Sequence, residues 1–122
     1  LGYFLTIYGK EVMGIIKKEN YSFDEIGPAA VFSMLSHPGR IKILTLLLQH
    51  ESLSVKEIQQ ELGLSQAATS QQLLKLKEGG LITGMQVNTS MRYSLSRDRF
   101  NDMMLLIGYF WGLINALEEG AP

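Results

Sequence analysis

Two helix signals stand back to back at Leu62-Gly63-Leu64-Ser65, and they limit what this chain can fold into. Upstream, Ser54 precedes Glu57 by three positions, the pattern in which a serine and a glutamate cap a helix start reciprocally. The run VKEIQQEL then sets Val55, Ile58 and Leu62 at core spacing. Gly63 is placed to stop that helix, and Ser65 is placed to cap the next one. Two short helices joined by so tight a turn read as a helix-turn-helix.

The second of these helices has two unlike faces. At about 100° per residue, Thr69, Leu73 and Leu76 fall within a narrow arc that anchors it to a core. Ala67, Ser70 and Gln71 point away from that arc. In a helix-turn-helix the second helix lies in the major groove of DNA with its N-terminal half facing base edges. Small Ala67 and Ala68 permit close approach, and a glutamine can bond adenine in a bidentate pair. Ser65 and Thr69 carry hydroxyls better used in capping and packing. Lys75 and Lys77 lie farther along, where phosphate contact is expected. Gly79-Gly80 ends the helix. The competing reading of QAATSQQ is a solvated helix face. The capped helix, tight turn, polar helix and following hairpin, in that order, favour DNA. The expected DNA contacts are Gln66, Ala67, Ser70, Gln71, Gln72 and Lys75, joined by His37, Arg40 and Arg92.

Around this motif the chain is mainly helical. Leu1 to Glu19 read as a helix with Leu1, Leu5, Tyr8, Val12 and Ile15 at seam spacing, and Asn20-Tyr21-Ser22 interrupts it. Gly27-Pro28 precedes a second helical segment, AAVFSML. His37-Pro38-Gly39 is a break, with Pro38 suited to the first turn of RIKILTLLLQH, whose core face is read as Ile41, Leu44, Leu47 and Leu48. LITGMQV and MRYSL, separated by Asn88-Thr89-Ser90, read as a β-hairpin. From Arg97 a long helix carries Phe100, Met103, Met104, Ile107, Trp111, Ile114 and Leu117 as one apolar stripe. The fold class is therefore mainly α with a small β-hairpin: a winged helix-turn-helix with additional N- and C-terminal dimerisation helices. Residues 1–20 form the N-terminal helical element and 21–122 the winged domain with its C-terminal dimerisation helix. Leu5, Tyr8, Val12, Phe100, Met104, Ile107, Trp111 and Ile114 are the expected dimer contacts.

The totals bound this reading. The chain has 122 residues, 46% hydrophobic and only 19% charged, so a chain this short is expected to place apolar surface in a subunit interface. Its formal net charge of −1 supplies no overall basic field, and any attraction to DNA must come from a local patch. There are no cysteines, which excludes disulfides and thiolate metal sites and fits a reducing compartment. No apolar run is read as long enough to span a bilayer, and LGYFLTIYG lacks the basic lead of a signal peptide. A cytoplasmic protein is expected.

The segment LSHPGRIKILTLLLQHESLSVKEIQQELGLSQAATSQQLLKLKEGGLITGMQVNTSMRYSLS resembles the ArsR/SmtB family of transcriptional repressors. The resemblance rests on L-x-H-P-x-R-x-x-I-L from Leu35 to Leu44, on LSQ-x-x-x-S-x-x-L-x-x-L from Leu64 to Leu76, and on GGLI with a wing ending RYSL. It implies a homodimer that binds a palindromic operator in double-stranded DNA, with two recognition helices in successive major grooves. Gln66, Ser70 and Gln71 match family positions that face DNA. Gln71-Gln72 stand where many members carry histidine or arginine, and Arg92 is the wing's only cation.

The family's sensing sites do not carry over. Where thiolate members place cysteines, this chain has Ser54 and Lys56, and near the dithiol position it has Thr45. Asp98 and Asp102 begin the last helix, but no histidine follows His50, so the carboxylate–histidine site is incomplete. Two acids there suit a helix start. No cofactor, metal or catalytic constellation is expected, and the protein is read as non-enzymatic. Tyr3, Phe4, Tyr8, Phe100, Met103, Met104, Tyr109, Phe110 and Trp111 fill a dimer core on the preferred reading, and line a site for an apolar effector on the other. Two functions remain: a DNA-binding repressor, and a winged protein-interaction module that has left DNA.

Overall fold

The structure, a computed structural model, describes residues 20–120. The helix expected over Leu1 to Glu19, with Leu5, Tyr8 and Val12, lies outside the described residues. The elements run α1 (Phe23–Met34), α2 (Pro38–Gln49), β1 (Leu53–Ser54), α3 (Val55–Leu62), α4 (Gln66–Glu78), β2 (Ile82–Val87), β3 (Ser90–Leu95) and α5 (Arg97–Glu119). They fall into two compact units. Among the described residues, one holds 20–33 and 101–120, and the other holds Met34–Phe100.

The second unit is a winged helix-turn-helix. At its centre the local signals act as expected. Ser54 Oγ accepts from the Glu57 N–H (3.1 Å), and the Glu57 carboxylate accepts from the Ser54 N–H (3.0 Å), closing the capping box of α3. The Ser54 backbone N–H first, and then its hydroxyl, hold the Glu57 carboxyl below the ordinary carboxylate value, and Arg92 adds to the effect. Gly63 ends α3 in the left-handed region at φ 65°, a conformation costly for a side chain with a Cβ. Ser65 Oγ caps α4 by accepting from the Ala68 N–H (3.1 Å). Helix α4 stops as the Gly79-Gly80 pair requires: Gly80 donates to the Lys77 carbonyl and Leu81 to the Leu76 carbonyl, with Gly80 at φ 76°. Leu76 and Leu81, the apolar pair that accompanies such a stop, are both fully buried.

Three strands, not two, form the wing sheet, in the order β1-β3-β2 and antiparallel throughout. The hairpin turns over Asn88-Thr89, with Ser90 already paired to Val87. Asn88 adopts φ 56°, which asparagine tolerates better than most residues. The extra strand is only Leu53–Ser54, paired to Tyr93 and Arg92, and it ties the start of α3 to the wing.

The buried face of α2 differs from expectation. Ile43, Leu44 and Leu47 point inward, while Ile41 and Leu48 are exposed. In ILTLLL every rotation of the helix offers an apolar stripe, so the core's shape decides which one is used.

In the first unit, α1 begins earlier than Gly27-Pro28 suggested. The Ser22 hydroxyl accepts from the Asp24 N–H (3.3 Å) and the Glu25 carboxylate from the Ser22 N–H (2.9 Å), so the cap lies at Ser22 and Pro28 sits inside the helix. Gly27 is needed for close approach, since a Cβ there would lie 3.1 Å from Leu106 Cδ2 of α5. Phe23 meets Tyr109 edge-on, ring centroids 5.3 Å apart, and Phe32 meets Phe110 at 5.5 Å. The Tyr109 hydroxyl donates to the Asp24 carboxylate, a bond that raises the phenol's pKa.

Helix α5 carries two apolar faces rather than the single stripe read from the sequence. Met103 and Leu106 are buried, while Leu105, Trp111 and Leu117 are 61%, 67% and 66% exposed. Of the expected dimer contacts, Met104 and Trp111 are exposed, and Phe100, Ile107 and Ile114 are half-buried. The expectation that no apolar run is long enough to span a bilayer needs correcting: by length and composition alone α5 qualifies, at a mean hydropathy of 1.2.

Candidate nucleic-acid interface

The outer face of α4 is built from the residues that its inner face leaves over. Thr69, Leu73 and Leu76 are buried, as their spacing requires, and rotate Gln66, Ala67, Ser70, Gln71 and Lys75 to the exposed side. Leu74 shares that side at 54% exposure, an apolar group the sequence reading had not separated from its buried neighbour Leu73. Such a surface is short and mostly uncharged near the helix start, with lysines at Lys75 and Lys77 toward its end.

Thr69 carries an internal defect. Its Oγ1 is buried and has no hydrogen-bond partner among the described residues, although the residue is fully enclosed. A buried unpaired hydroxyl costs about 1–3 kcal/mol. Thr69→Val, which keeps the shape, is therefore expected to raise unfolding free energy by about 1 kcal/mol, read as a higher midpoint in thermal melts. A lower midpoint would mean that the hydroxyl is paired in solution.

Four expected contacts occupy other places. Gln72 faces inward at 9% exposure, because its Oε1 accepts from Arg40 Nη1 (2.9 Å). Arg40 is drawn in with it: its Nε donates to the Met34 carbonyl (2.6 Å) and its Nη2 to Ser36 Oγ (3.3 Å). One guanidinium thus joins the end of α1, the loop before α2, and α4. His37 is the N-cap of α2, its Nδ1 accepting from the Gly39 N–H (2.9 Å). Arg92, expected to meet DNA, spans the wing base: Nε donates to Ser52 Oγ (3.0 Å), Nη2 to the Ser52 carbonyl (3.0 Å), and Nη1 lies 3.4 Å from Glu57 Oε1. The Arg40–Gln72 and Arg92–Ser52 partners are distant in sequence, which is why residue type alone pointed outward.

Between the start of α3 and the wing turn runs a groove of about 500 Å³. Lys56 and Gln59 of α3, Gln66 of α4, and Thr89 and Ser90 of the wing line it. Gln66 alone among these was expected. Lys56 stands at a position where thiolate members carry cysteine, and no local pattern in the sequence marks it as facing the wing turn.

A short polar helix presented after a tight turn, flanked by a hairpin, defines the winged helix-turn-helix class, which places such a helix in the major groove. The family model of the bacterial regulatory protein, arsR family, matches residues 37–83, from the cap of α2 into β2. The chain belongs to that family. It is 34% identical over 73 residues to the HTH-type transcriptional regulator YgaV of Escherichia coli K12, which covers 60% of this chain and 74% of that protein. It is 29% identical over 79 residues to the transcriptional repressor PagR of Bacillus anthracis, covering 65% of this chain and 79% of PagR. Among solved structures, Rv0081 of M. tuberculosis matches with a TM-score of 0.56 at 31% identity, over 77% of this chain and 92% of that one. The homodimeric winged helix-turn-helix DNA-binding domain Mb0332 of Mycobacterium bovis matches at 0.55 and 25% identity, over 79% and 82%.

Proposed function

We propose that this protein is a sequence-specific DNA-binding repressor that acts as a homodimer on a palindromic operator in the cytoplasm. The observation that carries the reading is the outer face of α4, where Gln66, Ala67, Ser70 and Gln71 stand exposed on a helix whose inner face is fixed by buried residues. Gln71 is the preferred base reader, through a bidentate bond to adenine. Lys75 is a phosphate anchor. Arg40 and Gln72 support this surface from behind, Arg92 braces the base of the wing, and His37 holds the start of α2. The dimer is supported by the homodimeric Mb0332 domain and by the exposed apolar residues of α5. Without cysteine, and with no histidine after His50, the chain is proposed to lack the family's metal and thiol sensing sites.

Operator binding should weaken steeply with salt as counterions are released. Gln71→Ala is expected to cost about 1–3 kcal/mol of discrimination between operator and scrambled duplex. Lys75→Ala should weaken both duplexes alike and lower the salt slope by about one. Anisotropy titrations with both duplexes read these outcomes, and identical behaviour of the two variants would defeat the division of roles. The alternative, a winged protein-interaction module, is favoured by the internal engagement of Arg40 and Arg92, which thins the cationic surface. It requires a flat salt response and equal, weak affinity for all duplexes.

A further inference from the structure

We infer that the groove between the start of α3 and the wing turn is the slot through which one DNA backbone strand passes, with the Lys56 ammonium as its phosphate ligand. The inference rests on the DNA-binding reading above and adds a contact which that reading leaves unassigned.

Position comes first. In a helix-turn-helix the first helix crosses the sugar–phosphate backbone while the second enters the groove. Lys56 is the second residue of α3, and Gln66, the first residue of α4, lines the same groove. A strand leaving the reading face at Gln66 therefore meets Lys56 next.

The chemistry of the walls agrees. Lys56 is exposed and, among the described residues, is the one cation lining the groove, with no carboxylate beside it in that lining. Gln59, Gln66, Thr89 and Ser90 add neutral donors suited to phosphate oxygens. The nearest acid in sequence, Glu57, faces the other way: its carboxylate is held by the Ser54 N–H and lies beside Arg92. Meanwhile Arg92, the wing's own cation, is committed to Ser52 and Glu57, and the turn residues Asn88 and Thr89 carry no charge. Charge usually expected from a wing is supplied on this side by α3.

A phosphate contact is sequence-independent, so a labelled random-sequence duplex is a sufficient probe. Affinity is followed by anisotropy across a salt series for the full chain. Lys56→Gln is expected to reduce the magnitude of the log-affinity against log-salt slope by about 0.9, and Lys56→Arg to retain it. Thr89→Lys, which adds a cation to the opposite wall, is expected to steepen the slope by a similar amount. Thermal melts check folding, and Thr89→Lys carries the test if Lys56→Gln unfolds. A steep wild-type slope left unchanged by both Lys56→Gln and Thr89→Lys overturns the slot and leaves the DNA-binding reading standing. A flat wild-type slope overturns that reading, and the slot with it.

Discussion

Arg40→Met is expected to lower the unfolding free energy by about 3 kcal/mol and to blunt operator discrimination without changing the salt slope. Among its acceptors the guanidinium has the Met34 carbonyl, Ser36 Oγ and Gln72 Oε1. Hydrogen bonds from a charged group are worth more than neutral ones, and losing the donor strands a nearly buried amide oxygen on α4. Removing both partners is gentler than removing one. Adding Gln72→Met to Arg40→Met should therefore recover about 1 kcal/mol in denaturant melts, a coupling that an exposed phosphate ligand would not produce. Recognition should suffer because α4 loses a bond that, with its buried Leu73 and Leu76, holds its rotation and so where Ser70 and Gln71 point. Were Arg40 a phosphate contact instead, the slope would fall by about one.

Placing acids on the outer face of α5 should have the larger effect on DNA binding. Leu105 and Trp111 are exposed in the single chain, and the proposed dimer would enclose them. Enclosed aromatic residues commonly carry at least 2 kcal/mol of an interface, and a buried unpaired carboxylate adds several more. Leu105→Glu with Trp111→Glu is therefore expected to convert a dimer to a monomer in sedimentation, with operator affinity falling at least about 100-fold. Helical circular dichroism should change little, because neither side chain is in the buried core, while the melting point should fall and lose its dependence on protein concentration. An unaltered dimer in sedimentation would move the interface off this face.

The part of the fold legible in the sequence is the part written in local signals. Ser54 with Glu57, Gly63, Ser65 and Gly79-Gly80 each act within one helical turn, so helix ends at the motif and the Thr69-Leu73-Leu76 stripe follow from the residues alone. The start of α1 was misplaced because Pro28 outweighed the weaker cap at Ser22. Strand β1 left no trace, since two residues before a helix cap have no period to read. In α2 and α5 the apolar positions are too many to select one face. The partners least visible in the sequence are those of Arg40, Gln72 and Arg92. Polar residue types suggested DNA, but Arg40 finds its partner 32 positions away and Arg92 finds its own 40 away, separations that no helical or strand pattern encodes.

The division of α4 into an enclosed side and an open one has a consequence for how this protein can diverge. Stability resides in Leu73, Leu76 and the Arg40–Gln72 bond, while Gln66, Ala67, Ser70 and Gln71 stand clear of the core. Substitutions at the open positions should alter sequence preference at almost no thermodynamic cost, since exposed sites away from such features usually change stability by less than about 0.5 kcal/mol. Duplicated copies can therefore acquire new operators one residue at a time, and the same four positions are the natural library for retargeting the protein by design.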